Sequence, residues 1–245
     1  MRIISSNLLS KFPEIIFGFS TKIGLNREAP FFFNLSLTVG DNPNIVNENR
    51  GKFFSEIGLN SSQIAFQKQI HSDIIKFVEK PGLLGEIDAL ITNRIGIGLA
   101  ISAADCTPVF IYDNVNRIIA AVHSGWRGTQ KKILKKVLSN LSFHYKSHPE
   151  NFYVFIGPSI SQDNYQVGNE VAVQFDQKYL KVENQKIFLD VAAANKDFLL
   201  NFGIPQENIE VSELCTYKEK DLLHSYRRDG EFSGRMLGVI ALKEF

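Results

Sequence analysis

Residues 64–124 carry a succession of short runs: IAFQKQI (64–70), DIIKFVE (73–79), DALIT (88–92), GLAIS (98–102), TPVFIYD (107–113) and RIIAAVHS (117–124). They are bounded by Gly, Pro, Asn or Asp, and several are apolar enough to be buried on both faces. They therefore predict the strands of one large sheet. On the C-terminal side, Thr129 to Leu141 predicts a helix through Ile133, Leu134, Val137, Leu138 and Leu141, and FYVFIGPSI (152–160) returns to strand. Further helices are expected over about Asn169–Tyr179 and Val191–Phe202, the second closed by Gly203 and Pro205. NIEVSEL (208–214) and MLGVIALKE (236–244) read as closing strands. On the N-terminal side, Asn42 can cap a helix begun by Pro43, with Ile45, Val46, Phe53, Phe54 and Ile57 at helical spacing and Gly58 as its stop. Strands and helices without a regular βαβ alternation indicate an α+β fold. No repeat, linker or block of like charge divides the chain, so one domain is expected over residues 1–245.

Of the 245 residues, 44% are hydrophobic and 22% charged, enough apolar material for a sizeable core. The formal net charge of +1 gives no footprint for nucleic acid or an anionic membrane, and neither is expected as a partner. The first twenty residues lack the long apolar run and cleavage pattern of a signal peptide, and no window reaches the length of a membrane span. Cys106 and Cys215 are too few for a disulfide framework, which fits a reducing cytoplasm.

Three segments place metal-ligating side chains at predicted strand ends: QIHSD with His71, AADCTP with Cys106 and AAVHSGWRG with His123. Two imidazoles and a thiolate with a vacant fourth position would suit catalytic zinc. The separations, 35 and 17 residues, match no compact zinc-finger spacing, and the alternative is structural histidines with a small buried cysteine. Pro108, Gly125 and Gly128 suggest tight turns that bring groups to one rim. SGWRGT (124–129), just before a predicted helix, offers backbone N–H groups and Arg127 to an anion such as phosphate; the alternative is a glycine turn with Trp126 in the core and Arg127 paired to a carboxylate.

The blocks FGFST (17–21), NLSLTVGDNP (34–43), Asn49–Arg50, QIHSD, DALIT, ADCTPV (104–109), AAVHSGWRGT (120–129), IGPSI (156–160), YQVG (165–168), LCTY (214–217), SYRRDG (225–230) and SGR (233–235) occur in order along nearly the whole chain. In these blocks the sequence resembles the YfiH-type family of multicopper polyphenol oxidoreductases, or laccase-domain proteins, whose members are also named purine nucleoside phosphorylase or peptidoglycan editing factor. The resemblance implies a layered α/β structure with mixed sheets, a monomer, and a metal held by His71, Cys106 and His123. It also implies zinc-dependent phosphorolysis of adenosine, inosine and methylthioadenosine, adenosine deamination, and an attributed copper-dependent oxidation of polyphenols. The loop TKIGLNREAPFFFNLS (21–36) departs from the family pattern in lacking its paired glycines.

A multicopper oxidase needs more imidazoles than a chain with five histidines readily supplies, because His144 and His148 fall in a polar connection. A single copper could still displace zinc in vitro. Phosphorolysis needs phosphate held beside C1′ of the ribose. Arg127 is the first candidate, with Arg50 and Arg227 beside it, while Arg227 or Arg228 is open to a local ion pair with Asp229. Deamination needs a carboxylate to carry the proton, and Asp88 and Asp105 are the candidates by motif, with Cys106 as the catalytic ligand. If strand geometry continues through Asp105 and Cys106, the two face opposite ways, leaving Asp105 to orient a ligand histidine. Tyr165 and Phe17 are candidate walls for the base. A metal-free alternative pairs Cys106 with His71 or His123 as a thiol hydrolase of amides, suited to editing peptidoglycan precursors. A redox sensor would use Cys215 as a resolving thiol.

Overall fold

The structure, a computed structural model, describes residues 1–244. In chain order its elements are β1 (Ile3–Ile4), β2 (Ile15–Ser20), α1 (Pro43–Glu56), β3 (Ile64–Lys68), β4 (Ile75–Phe77), β5 (Gly82–Glu86), β6 (Ala89–Thr92), β7 (Gly98–Ala103), β8 (Thr107–Asp113) and β9 (Ile118–Ser124). There follow α2 (Trp126–Gln130), α3 (Ile133–Tyr145), β10 (Phe152–Ile156), β11 (Gln166–Val167), α4 (Asn169–Ala172), β12 (Leu180–Glu183), β13 (Lys186–Leu189), α5 (Val191–Phe202), β14 (Ile209–Val211), α6 (Tyr226–Asp229) and β15 (Met236–Leu242).

In place of one large sheet there are two six-stranded mixed sheets, β1-β2-β15-β7-β3-β5 and β14-β10-β8-β9-β6-β4, and a small third sheet, β11-β13-β12. The physical reason lies in the strands that are apolar on both faces. In β9, Ile119 and Ala121 enter the core between the two large sheets, whereas Ile118, Ala120 and Val122 face the layer formed with α3 and α5. In β15, Met236, Ile240 and Leu242 point inward, while Leu237, Val239 and Ala241 meet the layer that contains Phe53 and Phe54 of α1. Both faces of each strand are thus covered, helix on one side and sheet on the other, giving a layered α/β structure.

Local chemistry explains the helices. The Asn42 side chain accepts from the Asn44 N–H at the start of α1, and Gly58 follows its end with φ +78°. Asp190 accepts from the Ala193 N–H at the start of α5, and Gly203 closes it at φ +100°. The continuous helix expected over Thr129–Leu141 is broken. Lys132 takes φ +61° between α2 and α3, which lets the apolar stripe of α3 lie on the sheet while Thr129 stays tied to Ser124 and Asn195. The helix expected over Asn169–Tyr179 stops at Ala172. Asp176 accepts from the Lys178 N–H and starts a 3-10 turn instead, a side-chain bond that competes with helix continuation. Among the described residues no helix is long and apolar enough to cross a membrane.

Candidate metal centre

Strands β8 and β9 pair antiparallel with Thr107 opposite Ser124 and Pro108 opposite His123. This register brings Cys106, just before β8, beside the end of β9. His71 arrives from the turn between β3 and β4 with φ +59°. Its Nε2 lies 3.9 Å from Cys106 Sγ, and the His71 and His123 rings are 4.9 Å apart. One ligand atom from each of His71, Cys106 and His123 lies within 4.8 Å of the others. Among the described residues this is the one group of His, Cys and carboxylate side chains placed to hold an ion. His123 is buried, whereas His71 and Cys106 are half-buried, so one side of the group is open.

Gly125 makes room for this approach. A Cβ there would lie 2.8 Å from Cys106 Sγ and 3.5 Å from His71 Cδ2. Gly125→Ala is therefore expected to displace the sulfur and weaken the binding of added zinc ion at least tenfold, about 1.4 kcal/mol, within the 1–3 kcal/mol typical of overpacking. Chelator-competition titration of the variant checks this; unchanged affinity would show that the sulfur is not confined.

Burial alone would raise the Cys106 thiol, but the charge and hydrogen bonds of His123 and His71 bring it down to about 6. Burial would lower His123, but the Cys106 thiolate and Asp88 raise it to about 9. Between those values the metal-free protein holds a thiolate beside an imidazolium. Each shift is caused largely by the partner's charge, so the pair contributes its stability together between about 6 and 9 and loses it on either side, as the thiolate is protonated below that window or the imidazolium is deprotonated above it. Alkylation of Cys106 by iodoacetamide in metal-free protein should reach half its maximal rate near pH 6. A midpoint near 9 would show an ordinary thiol.

The two candidate carboxylates have different surroundings from those expected. Asp105 adopts φ +94°, so the strand does not continue through it. Its carboxylate accepts from Thr216 Oγ1 and the Arg227 N–H, each at 2.6 Å, and so holds the 216 and 225–229 segments rather than a histidine. The carboxylate beside a histidine is that of Asp88, fully buried, with Oδ1 2.8 Å from His123 Nδ1.

Arg227 stacks on Tyr165, its guanidinium carbon 5.0 Å from the ring centre, and donates to the Gln166 carbonyl. Arg127 is exposed and stacks on Trp126 at 4.3 Å. Burial raises the Tyr165 phenol to about 12, helped by the Cys106 and Asp105 charges and opposed by Arg227 and Arg127, so all four lie within electrostatic reach of Tyr165. Arg50 donates to the Leu35 carbonyl at 2.7 Å and stacks on Phe66, and burial lowers it to about 10; the Leu35 N–H in turn donates to the Arg235 carbonyl. Arg228, not Arg227, forms the pair with Asp229, and it also donates to the carbonyls of Thr216, Tyr217 and Leu223. Arg235 was not among the arginines picked from the sequence. It stacks on Tyr226 and lies within electrostatic reach of Asp105 and Cys106; the SGR block was its only signal.

Phe17 is no wall for a base, since it packs edge-on to Phe110 and Phe155 between the sheets. His144 packs against Phe77. Both cysteines are free, and Cys215 is buried with Sγ accepting from the Ser161 N–H and Oγ.

The profile of the multi-copper polyphenol oxidoreductase laccase family matches residues 16–243. The chain belongs to that family. Among its relatives, purine nucleoside phosphorylase YlmD of Bacillus subtilis is 32% identical over 94% of this chain and 90% of its own length. Purine nucleoside phosphorylase YfiH of Escherichia coli K12 is 32% identical over 91% of this chain and 92% of its own. The crystal structure of YlmD from Geobacillus stearothermophilus superposes with a TM-score of 0.91 at 28% identity, covering 98% of this chain and 94% of that one. That of Bacillus licheniformis YfiH gives 0.89 at 31% identity, with 94% and 93% covered. The family title names several coppers, whereas the donors of this family member converge on a single ion position among the described residues.

Proposed function

We propose that this protein is a metal-dependent purine nucleoside phosphorylase acting on inosine, adenosine and methylthioadenosine. The observation that carries the reading is the convergence of His71, Cys106 and His123 on one half-open position, with Arg235 within electrostatic reach of Cys106. In the reaction a phosphate oxygen bonds to C1′ as the bond from C1′ to the purine nitrogen breaks. The products are ribose 1-phosphate, or 5-methylthioribose 1-phosphate from methylthioadenosine, and the free base, which takes up the proton that the phosphate gives up as it becomes an ester.

Two imidazoles and a thiolate, with one side open, suit zinc and would also accept copper. When bound, the metal supplies Lewis acidity toward a substrate oxygen or nitrogen. The protein's own part is to bind and orient. Arg227, fixed by Tyr165 and the Gln166 carbonyl, presents a planar cation suited to phosphate, while Arg127 adds positive charge within reach of Tyr165 and Arg235 within reach of Cys106. The Arg50 contacts support a packing role rather than phosphate binding. Tyr165, held protonated to about 12, is the group we assign to donating a hydrogen bond to the leaving base. Adenosine deamination at the same centre also needs a proton carrier; Asp88 and Asp105 are both engaged by other donors, and Tyr165, protonated to about 12, can donate a hydrogen bond but not take up the proton of the attacking water. A cytoplasmic setting is supported by the two free cysteines, and a small-molecule substrate by the near-neutral net charge. We assign a single-domain monomer to this activity, following the resemblance.

One observation favours a second reading. Asp88, His123 and Cys106 form a carboxylate–imidazole–thiol line of the kind thiol hydrolases use, which would serve metal-free cleavage of amides such as those in peptidoglycan precursors. The discriminating experiment offers inosine with phosphate, and separately a muropeptide precursor, to zinc-loaded and chelator-stripped protein. Phosphate-dependent release of hypoxanthine by the loaded form alone supports the phosphorylase. Precursor cleavage by the stripped form, without nucleoside turnover, overturns it.

A further inference from the structure

We propose that Asp88 is a positioning residue that sets both imidazoles of the centre at once, an inference that rests on the metal-centre reading above. Its carboxylate is fully buried and meets five donors. These are the N–H groups of Ile70 at 3.3 Å, His71 at 3.1 Å and Ser72 at 2.6 Å, the Ser72 hydroxyl at 2.6 Å, and His123 Nδ1 at 2.8 Å. An ionised carboxylate offers about four lone-pair sites, so no oxygen remains for a substrate proton. Asp88 therefore acts through the histidines and touches no reacting atom.

Each contact has a distinct consequence. Three successive N–H groups converge on one carboxylate, and this holds the 70–72 turn with His71 in the left-handed region at φ +59°. That conformation is unfavourable for a residue with a Cβ and persists only where surrounding bonds enforce it. The turn aims the His71 side chain back at Cys106. At His123 the carboxylate can only accept, so Nδ1 carries the proton and Nε2 is left to face the centre. The His123 N–H also donates to the Asp88 carbonyl at 2.8 Å, so backbone and side chain of one residue fix the other. Hydrogen bonds to His123 and Ser72 hold the Asp88 carboxyl below the usual range despite its burial, in keeping with a permanent anion.

Asp88→Asn tests this because it keeps the size and an accepting oxygen but places a donor-bearing amide among groups that all donate. Its metal-free fold is checked by near-ultraviolet circular dichroism, and its affinity for zinc ion alone by chelator competition. The expected result is native-like dichroism with affinity reduced roughly 10–100-fold, the range found when a carboxylate behind a metal-ligating histidine is removed. Affinity equal to that of the unaltered protein overturns the inference and leaves the metal centre standing. Should the variant fail to fold, the zinc-loaded unaltered protein decides, using ¹⁵N-histidine and long-range ¹H–¹⁵N spectra. A proton on His123 Nδ1 with Nε2 at the metal supports the proposal, and the reverse tautomer overturns it. If the unaltered protein binds no zinc, the metal-centre reading fails and the inference with it.

Discussion

Cys106→Ala is expected to abolish stoichiometric metal binding and to lower inosine phosphorolysis by roughly 10³-fold. Metal Lewis acidity is worth several kcal/mol of transition-state stabilisation, and about 1.4 kcal/mol corresponds to each tenfold in rate. Cys106 provides the only sulfur among the three donors, so its loss leaves two nitrogens and two open positions. The substitution removes one half-buried atom at a strand start together with its contact to the His123 imidazolium, so between about pH 6 and 9 the metal-free variant should melt somewhat below the unaltered metal-free protein. Metal analysis and single-substrate kinetics on the same preparation check both parts. Turnover retained at near-normal rate would show that the sulfur is dispensable. The thiol-hydrolase reading also predicts loss in this variant, so the stripped unaltered protein, not Cys106→Ala, separates the two.

Phe110→Ala is expected to carry the largest stability cost, about 3–5 kcal/mol. Phe110 is fully buried between the two large sheets, its ring 5.0 Å from that of Phe17. Facing it is Gly238 of β15, where a Cβ would lie only 2.3 Å from Phe110 Cζ and 2.6 Å from Phe19 Cδ2. The ring thus fills space that the opposite strand leaves empty, and truncation opens a cavity that Gly238 has no side chain to close. At about 2–4 °C per kcal/mol for a chain of this size, the melting temperature should fall by roughly 10 °C. The comparison belongs on metal-free protein, because a ligand bound to the native state adds its own stabilisation. A change below about 1 kcal/mol would mean that the sheets repack around the gap.

The strands of residues 64–124 other than β5 were legible because turn residues punctuate short apolar runs. The α1 and α5 boundaries were legible because Asn42, Pro43, Asp190 and Gly203 have strong positional preferences. That two sheets, not one, result was not legible: a strand apolar on both faces says it is covered, not by what. The exposed edge strand β5, GLLGE, has no apolar alternation to betray it. The three donors were legible as residue types at strand ends, but their convergence depends on the β8–β9 register and on a left-handed His71. Strand alternation through Cys106 would turn Asp105 away from the site and toward a ligand histidine, but the strand breaks at Asp105. The contact at His123 is made instead by Asp88, brought from 35 residues away where β6 meets β9. Arg235 was hidden for the same reason, since only the folded chain brings the 233–235 segment near Cys106.

The most direct measurement is X-ray absorption at the zinc edge of the loaded protein. One sulfur at about 2.3 Å, two imidazole nitrogens at about 2.0 Å and one further light scatterer exchangeable with solvent or phosphate are the predicted shell. A shell without sulfur, or one closed by a fourth protein donor that phosphate and substrate leave unchanged, would contradict an open centre built from His71, Cys106 and His123.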